Sequence, residues 1–211
     1  MTKKPDPFAI ELTPELIIRA YAAGIFPMAE DAQSADLFWV SPEMRGVIPL
    51  DAFHVSRSLR KRLRHHPYAV RVDTDFDAVI EACATVGEDR DSTWINAEIR
   101  RLYGELFRRG FVHTVEVWDG PDLVGGLYGL ALGAAFFGES MFHRQTDASK
   151  IALAHLVGRL SGGGFRLLDT QFVTEHLRSL GGIEIPRAVY EVQLAEALAH
   201  KGDFFAIDRG R

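Results

Sequence analysis

The chain has 211 residues, of which 47% are hydrophobic and 25% charged, enough for one large domain or a medium domain plus a small one. Met1–Lys4 runs straight into Pro5-Asp6-Pro7 with no apolar run behind it, so no signal peptide is read and a cytoplasmic protein is expected. The uncharged run Leu123 to Gly138 is shorter than the roughly 20 apolar residues of a spanning helix, and glycines interrupt it, so it reads as buried strands and not as a membrane segment.

Net charge is −5, which by itself argues against a nucleic-acid partner. Its distribution says something else. Between His54 and Val72 stand six Lys/Arg, three His and no Asp or Glu. Within that stretch Arg57, Arg60, Lys61, Arg62 and Arg64 form a candidate patch for one local anionic partner, while a solvated helix face with carboxylate partners elsewhere is the plainer reading. The single cysteine, Cys83, excludes an intramolecular disulfide. It falls on an apolar helical stripe with Phe76, Val79 and Ile80, as a small core residue would.

Taken in chain order, Thr13-Pro14-Glu15 opens a helix with a hydroxyl cap, Pro at the first helical position and an acid in the first turn. Leu16, Ile17, Ala20 and Tyr21 make its buried stripe, and Gly24 supplies a left-handed stop. Residues 25–50, broken by Pro27, Pro42 and Pro49, read as irregular. A helix is predicted over Val55–Arg64, another over Asp73–Thr85 and a third over Ala97–Arg109, with Ile99, Leu102, Tyr103, Leu106 and Phe107 on one apolar face. Val112–Trp118 alternates as a strand, Asp119-Gly120 signals a hairpin, and the return strands run through Gly138. Asp147 is expected to cap a helix ending at Gly162–Gly164. Phe165–Asp169 is a short buried strand, and helices follow over Thr174–Leu180 and Ala188–Ala199. The pattern predicts an α+β fold with a mixed sheet: a small N-terminal domain over residues 1–52 and a larger one over 53–211.

Several chemistries lack their signature. No P-loop and no G-x-G-x-x-G occurs, and the eight His lack paired metal-ligand spacing, so no metal is expected. Gly138-Glu139-Ser140-Met141-Phe142 half-resembles a serine-hydrolase elbow, with Asp169 and His176 as formal triad partners, but Phe142 stands where the tight turn needs a small residue. What remains is a set of aromatic, apolar and amide groups: Asp169-Thr170-Gln171-Phe172 after a buried strand, Phe136 to Phe142 at the end of another, and Trp39 and Trp94 in loop-like settings.

At these residues a resemblance becomes close. Tyr21-Ala22-Ala23-Gly24-Ile25-Phe26-Pro27-Met28, Phe38-Trp39-Val40-Ser41-Pro42, Thr93-Trp94-Ile95, His113 to Trp118, Leu123 to Gly129, Phe137 to Phe142, Asp147-Ala148-Ser149-Lys150 and Glu184-Ile185-Pro186-Arg187 occur in this order. Together they resemble the bacterial leucyl/phenylalanyl-tRNA–protein transferase family over roughly residues 12–195. That resemblance implies an acetyltransferase-superfamily-like C-terminal domain. It also implies transfer of Leu or Phe, less often Met, from aminoacyl-tRNA to proteins beginning with Arg or Lys, which marks them for N-end-rule degradation, with no cofactor. By motif, Asp169 and Gln171 match the family's catalytic pair, Trp39 and Trp94 match residues around the terminal adenosine, and Leu127, Phe136 and Glu139 match the aminoacyl site. Glu139 and Glu116 are candidates for reading the acceptor's basic side chain.

If the strand geometry continues, Asp169 and Gln171 point to one side and Thr170 to the other, so that Asp169 can orient the Gln171 amide. Three rivals stay open: an acyl-CoA-dependent acetyltransferase, an aminoacyl-tRNA-dependent cell-wall peptide transferase, and a non-catalytic RNA-binding module. Against the first, Asp147 stands where a pyrophosphate would approach.

Overall fold

A computed structural model describes residues 12–34, 36–85 and 92–209, so residues 1–11 lie outside the described residues. Thr13 caps helix α1 (Pro14–Ala22) by accepting the Leu16 N–H, and Gly24 beyond it is left-handed with φ 75°, as the sequence predicts. Residues 25–50 are not irregular. They hold strands β1 (Phe26–Ala29), β2 (Leu37–Val40) and β3 (Met44–Val47). Each is four residues long, too short for an alternating pattern to emerge, and Pro27 is tolerated because β1 pairs only with β2 in a two-stranded sheet.

Next come α2 (Arg57–His65), β4 (Ala69–Val72), α3 (Phe76–Ala84) and α4 (Ala97–Arg108). The long strands β5 (Val112–Asp119), β6 (Asp122–Leu132) and β7 (Ala135–His143) follow as an antiparallel meander, with Gly120 left-handed in the first turn. Helix α5 (Ala148–Gly162), β8 (Leu167–Gln171), α6 (Glu175–Ser179), β9 (Ile183–Pro186) and α7 (Arg187–Leu198) complete the described order, apart from a 3-10 turn at Ala206–Asp208.

Strands β4-β5-β6-β7-β8-β3-β9 form one mixed sheet of seven, in which, among the described residues, only β7 and β8 pair in parallel. The fold is therefore α+β. Strand β3 precedes the boundary expected near residue 52, yet it is hydrogen-bonded between β8 and β9. Arg187 fastens that end of the sheet by donating to the carbonyls of Ser41 and Pro42, which joins two of the sequence motifs.

Helices cover both faces. On one face Ile17 and Tyr21 of α1, Ile99, Leu102 and Tyr103 of α4, and Tyr190 of α7 pack on Tyr128, Leu130 and Phe137. On the other, Leu59 of α2 and Ile151, Leu153 and Leu156 of α5 pack on Val115, Leu127 and Phe136. Double coverage explains why β5 and β6 are buried along nearly their whole length, the polar His113, Thr114 and Glu116 of β5 included. Cys83 is buried on the α3 stripe as expected. Asp147 is not a side-chain cap. It is left-handed at φ 67°, and its carboxylate accepts from Lys150 Nζ at 2.8 Å and lies 3.9 Å from Arg62 Nε.

The approach of α5 to β6 rests on Gly125, where an added Cβ would sit 2.5 Å from the Cβ of Ala148. Gly125→Ala is expected to destabilise the protein by about 1–3 kcal/mol, as overpacking typically does. Urea unfolding measures it; a change below a few tenths would show that α5 shifts freely.

Candidate active site

The parallel register of β7 and β8 ends at Phe137 opposite Asp169. Beyond that point both strands contribute to a cavity of about 330 Å³, through Gly138 to Met141 on one side and Thr170 and Gln171 on the other. Leu127, Leu153, Leu156, Leu168 and Leu177 make its apolar wall; Phe26 and Met28 of β1 and Trp94 also line it.

The end of β8 is not extended. Gln171 is left-handed, with φ 62°. A side chain longer than Asn in that region costs on the order of 1–3 kcal/mol and persists only where the surroundings enforce it. The alternation of the strand breaks there, so Thr170 lines the cavity together with Gln171, contrary to the sequence expectation. Asp169 lies beneath them, fully buried.

Asp169 does not touch the Gln171 side-chain amide. Its Oδ1 accepts the backbone N–H of Gln171 at 2.8 Å. Arg45 donates to it through Nε at 3.0 Å and Nη2 at 2.7 Å, and the Tyr190 hydroxyl donates at 2.7 Å. The Arg45 guanidinium is 2% exposed, donates from Nη1 to the Gly24 carbonyl at 2.9 Å, and lies between the rings of Phe26 and Tyr190, 4.6 and 4.4 Å from their centroids. Burial opposes its charge, but the bonds to Asp169 outweigh burial and raise its pKa.

Glu139 takes the place expected for Asp169. Its Oε1 accepts the Gln171 side-chain N–H at 3.3 Å and the Tyr21 hydroxyl at 2.7 Å, and the Tyr103 hydroxyl lies 3.2 Å from Oε2. The two phenols also contact each other. Both phenols donate to the carboxyl and by themselves favour its charged form, but burial dominates. It pushes Glu139 up to about 8, with the negative charge of Asp169 adding to it, so the carboxyl is mostly protonated at neutral pH; burial also pushes both tyrosines above their ordinary range. His176 also faces the cavity. Among the described residues its Nε2 has no hydrogen-bond partner, and burial together with the neighbouring Lys150 lowers its pKa, so the ring is neutral at pH 7.

Of the residues expected from sequence, the structure brings Gln171, Glu139, Leu127 and Trp94 together at this cavity. Trp39 is 41% exposed and pairs with Pro27, on the opposite face of the β1–β2 hairpin from Phe26 and Met28. Phe136 is in the core, its ring 5.8 Å from that of Phe204. Glu116 is buried outside the cavity and is occupied by the backbone N–H groups of Thr74 and Asp75, the Thr114 hydroxyl and the Trp118 indole N–H. Bonds from the Thr74 hydroxyl and these partners overcome burial and lower its pKa, so Glu116 fixes the turn into α3 and offers nothing to an acceptor. Ser140 lies within β7 opposite Tyr128, not on a strand-to-helix turn, which removes the elbow geometry. Arg57, Arg60, Lys61, Arg62 and Arg64 are all exposed on α2, whose Leu59 packs in the same core cluster as the α5 leucines that line the cavity. Among the described residues only Arg62 of the five lies within 4 Å of a carboxylate.

Sequence reasoning missed Arg45, and it saw Tyr21 and Tyr103 only as apolar stripe. A tyrosine on such a stripe needs a partner for its hydroxyl, and that signal was available.

Among the described residues no cluster of three or more His, Cys, Asp or Glu is placed to hold a metal ion, and no helix is long and apolar enough to cross a membrane. The family model described as leucyl/phenylalanyl-tRNA protein transferase matches residues 47–195, and the model of that family's N-terminal domain matches residues 10–43. The leucyl/phenylalanyl-tRNA–protein transferase of Paramagnetospirillum magneticum is 60% identical over 92% of this chain and 92% of its own. The proteins of that name from Rhodospirillum rubrum and Afipia carboxidovorans are 58% and 55% identical over 92% and 98% of this chain, and over 92% and 91% of theirs. Among solved structures, L-PGS from Bacillus licheniformis is similar at a TM-score of 0.41 and 11% identity, covering 78% of this chain and 55% of that one, too distant for any conclusion. The chain is thus a transferase. It belongs to the leucyl/phenylalanyl-tRNA protein transferase family.

A neutral Glu139 has a consequence for stability. The unfolded carboxyl titrates near about 4.3, whereas the folded one titrates near about 8. Between those values the folded state binds more protons, so this group's contribution is present at low pH and lost as pH rises through the folded value. Glu139→Gln is expected to remove that slope, so the variant gains on wild type from pH 5 to pH 8. Parallel urea midpoints across that range would show that the carboxyl is ionised in the fold.

Proposed function

We propose that this protein transfers Leu or Phe, and less often Met, from aminoacyl-tRNA to the N-terminal Arg or Lys of acceptor proteins, marking them for N-end-rule degradation in the cytoplasm. The observation that carries this reading is the cavity itself: a leucine-lined pocket beside an amide, a neutral carboxyl and a neutral imidazole. A pocket of this kind suits an uncharged aliphatic or aromatic side chain and rejects a charged one, whose desolvation nothing offsets. Overlap among Leu, Phe and Met follows, because one methylene shifts preference by only about 1–3 kcal/mol.

The chemistry needs little more than orientation. An aminoacyl ester is already activated, and with an α-amino pKa of about 7.7–8 on the order of a tenth of the acceptor is free base at neutral pH. The amine attacks the ester carbon, the bond to the ribose oxygen breaks, and the amine's proton passes to that leaving oxygen or to water. Because the Gln171 NH2 is turned toward Glu139, its carbonyl is left to accept from the incoming amine and aim the lone pair. Asp169 supports this through the backbone. Trp94 supplies a ring for the terminal adenosine, and Trp39 is available to a base outside the cavity. The exposed cations of α2 take the tRNA backbone.

Incubation with radiolabelled Leu-tRNA and an Arg-starting peptide tests the assignment and separates it from acetyl-CoA-dependent or purely RNA-binding alternatives. Label should appear in the peptide from Leu-tRNA and not from Asp-tRNA; label from Asp-tRNA would rule out the pocket as drawn. Gln171→Ala is expected to lower kcat by on the order of 10²-fold at saturating aminoacyl-tRNA. Reversing Arg60, Lys61 and Arg64 to Glu should instead raise KM for tRNA and flatten its salt dependence, which falls by about 0.7–0.9 log units per decade for each phosphate contact. An unchanged slope would mean that α2 is only a solvated face.

A further inference from the structure

Gln171 reaches the cavity because its backbone is left-handed, and three features of the surrounding fold converge on that backbone. The first is the Asp169 carboxylate, which takes the Gln171 N–H at 2.8 Å. The second is Arg45, which with Tyr190 fixes that carboxylate from the far side. The third is Gly46, paired with Gln171 across the sheet at a register shift. A Cβ on Gly46 would lie 2.6 Å from the Phe172 carbonyl carbon and 2.9 Å from Thr170 Oγ1, so the bend occupies the space that any other residue would fill. Arg45 and Gly46 are neighbours on β3, and neither lines the cavity.

Building on the transferase reading, we propose that Arg45 is a positioning residue for the transfer step: it anchors Asp169, and Asp169 locks the Gln171 main chain in the left-handed conformation that turns its amide into the cavity. Asp169 accordingly acts on the main chain and does not face the acceptor amine. Its acceptor sites are taken by two guanidinium donors, a phenol and a main-chain N–H. Lysine cannot substitute for Arg45, because one ammonium cannot hold both oxygens of Asp169 in the plane of the fork while also donating to the Gly24 carbonyl between two rings.

The test compares Arg45→Lys and Tyr190→Phe with wild type in steady-state transfer and in ¹H–¹⁵N spectra with the Gln171 amide assigned. Both variants should lose about tenfold or more in kcat at saturating Leu-tRNA with KM for tRNA within about twofold, since the lost interaction matters after binding. The Gln171 amide proton, downfield in wild type because it donates to a carboxylate, should move upfield in both. Arg45→Ala should regain transfer with millimolar guanidinium and not with methylammonium. Unchanged kcat in Arg45→Lys, or an unmoved Gln171 amide resonance in both variants, overturns the proposal. Should Arg45→Lys fail to fold, Tyr190→Phe, which removes a single hydroxyl, decides in its place. Should wild type transfer no amino acid, the transferase reading fails alone, and the amide resonance still decides whether Arg45 sets the Gln171 backbone.

Discussion

The buried ion pair between Arg45 and Asp169 is the contact on which the site's geometry depends. Both groups are almost wholly removed from water, at 2% and 0% exposure. Taking two charges out of water costs several kcal/mol per ion, and their attraction offsets that cost only when the remaining donors and acceptors are also satisfied. Here they are. Arg45 spends its other donor on Gly24 and its two faces on Phe26 and Tyr190, while Asp169 spends its remaining lone pairs on Tyr190 and Gln171. One pair thereby ties together the end of α1, the start of β1, the strands β3 and β8, and α7. The chain between Gly24 and Val47 is held to the sheet at the point where the sheet opens.

That opening shapes the chemistry. β7 and β8 run in parallel register only as far as Phe137 and Asp169, and the polar ends of both strands face one another across the gap that follows. The groups presented there carry little charge. Glu139 is neutral within its contacts to Tyr21 and Tyr103, and the ionised pair sits one step behind. A reaction between an activated ester and a free amine benefits from fixed dipoles more than from a charged nucleophile, which would compete for the same ester carbon.

Much of the scaffold was legible in the sequence because it follows local rules. The stripe Ile99, Leu102, Tyr103, Leu106 and the Asp119-Gly120 turn gave α4 and the β5–β6 hairpin directly. The short strands were not legible. Four residues of β3 carry no period, and their pairing with β8 lies more than a hundred residues away. Arg45 was invisible for the same reason, since its partner is 124 positions distant and nothing local separates it from a surface arginine. Asp147 shows a different limit: Asp before a helix announces a cap, but the left-handed φ that turns its carboxylate toward Lys150 is a tertiary outcome. Gln171, Glu139, Leu127 and Trp94, singled out by the resemblance, meet at the cavity, while the bonds of Asp169 to the Gln171 main chain and of Glu139 to its amide arise only in the fold. Phe136 is packed in the core and Trp39 is exposed outside the cavity, which spacing alone could not separate from pocket lining.

The left-handed backbone at residue 171 sets a conflict between durability and use. The side chains that relax such a conformation are Gly, which has no Cβ, and Asn, whose short amide bonds locally. Either would ease the bend, and neither reaches as far into the cavity as Gln. Given the role proposed for Gln171, a population of variants screened only for heat resistance would drift toward residues that cost activity at this position. On that proposal, position 171 is a place where gains in stability and loss of turnover arrive in the same substitution.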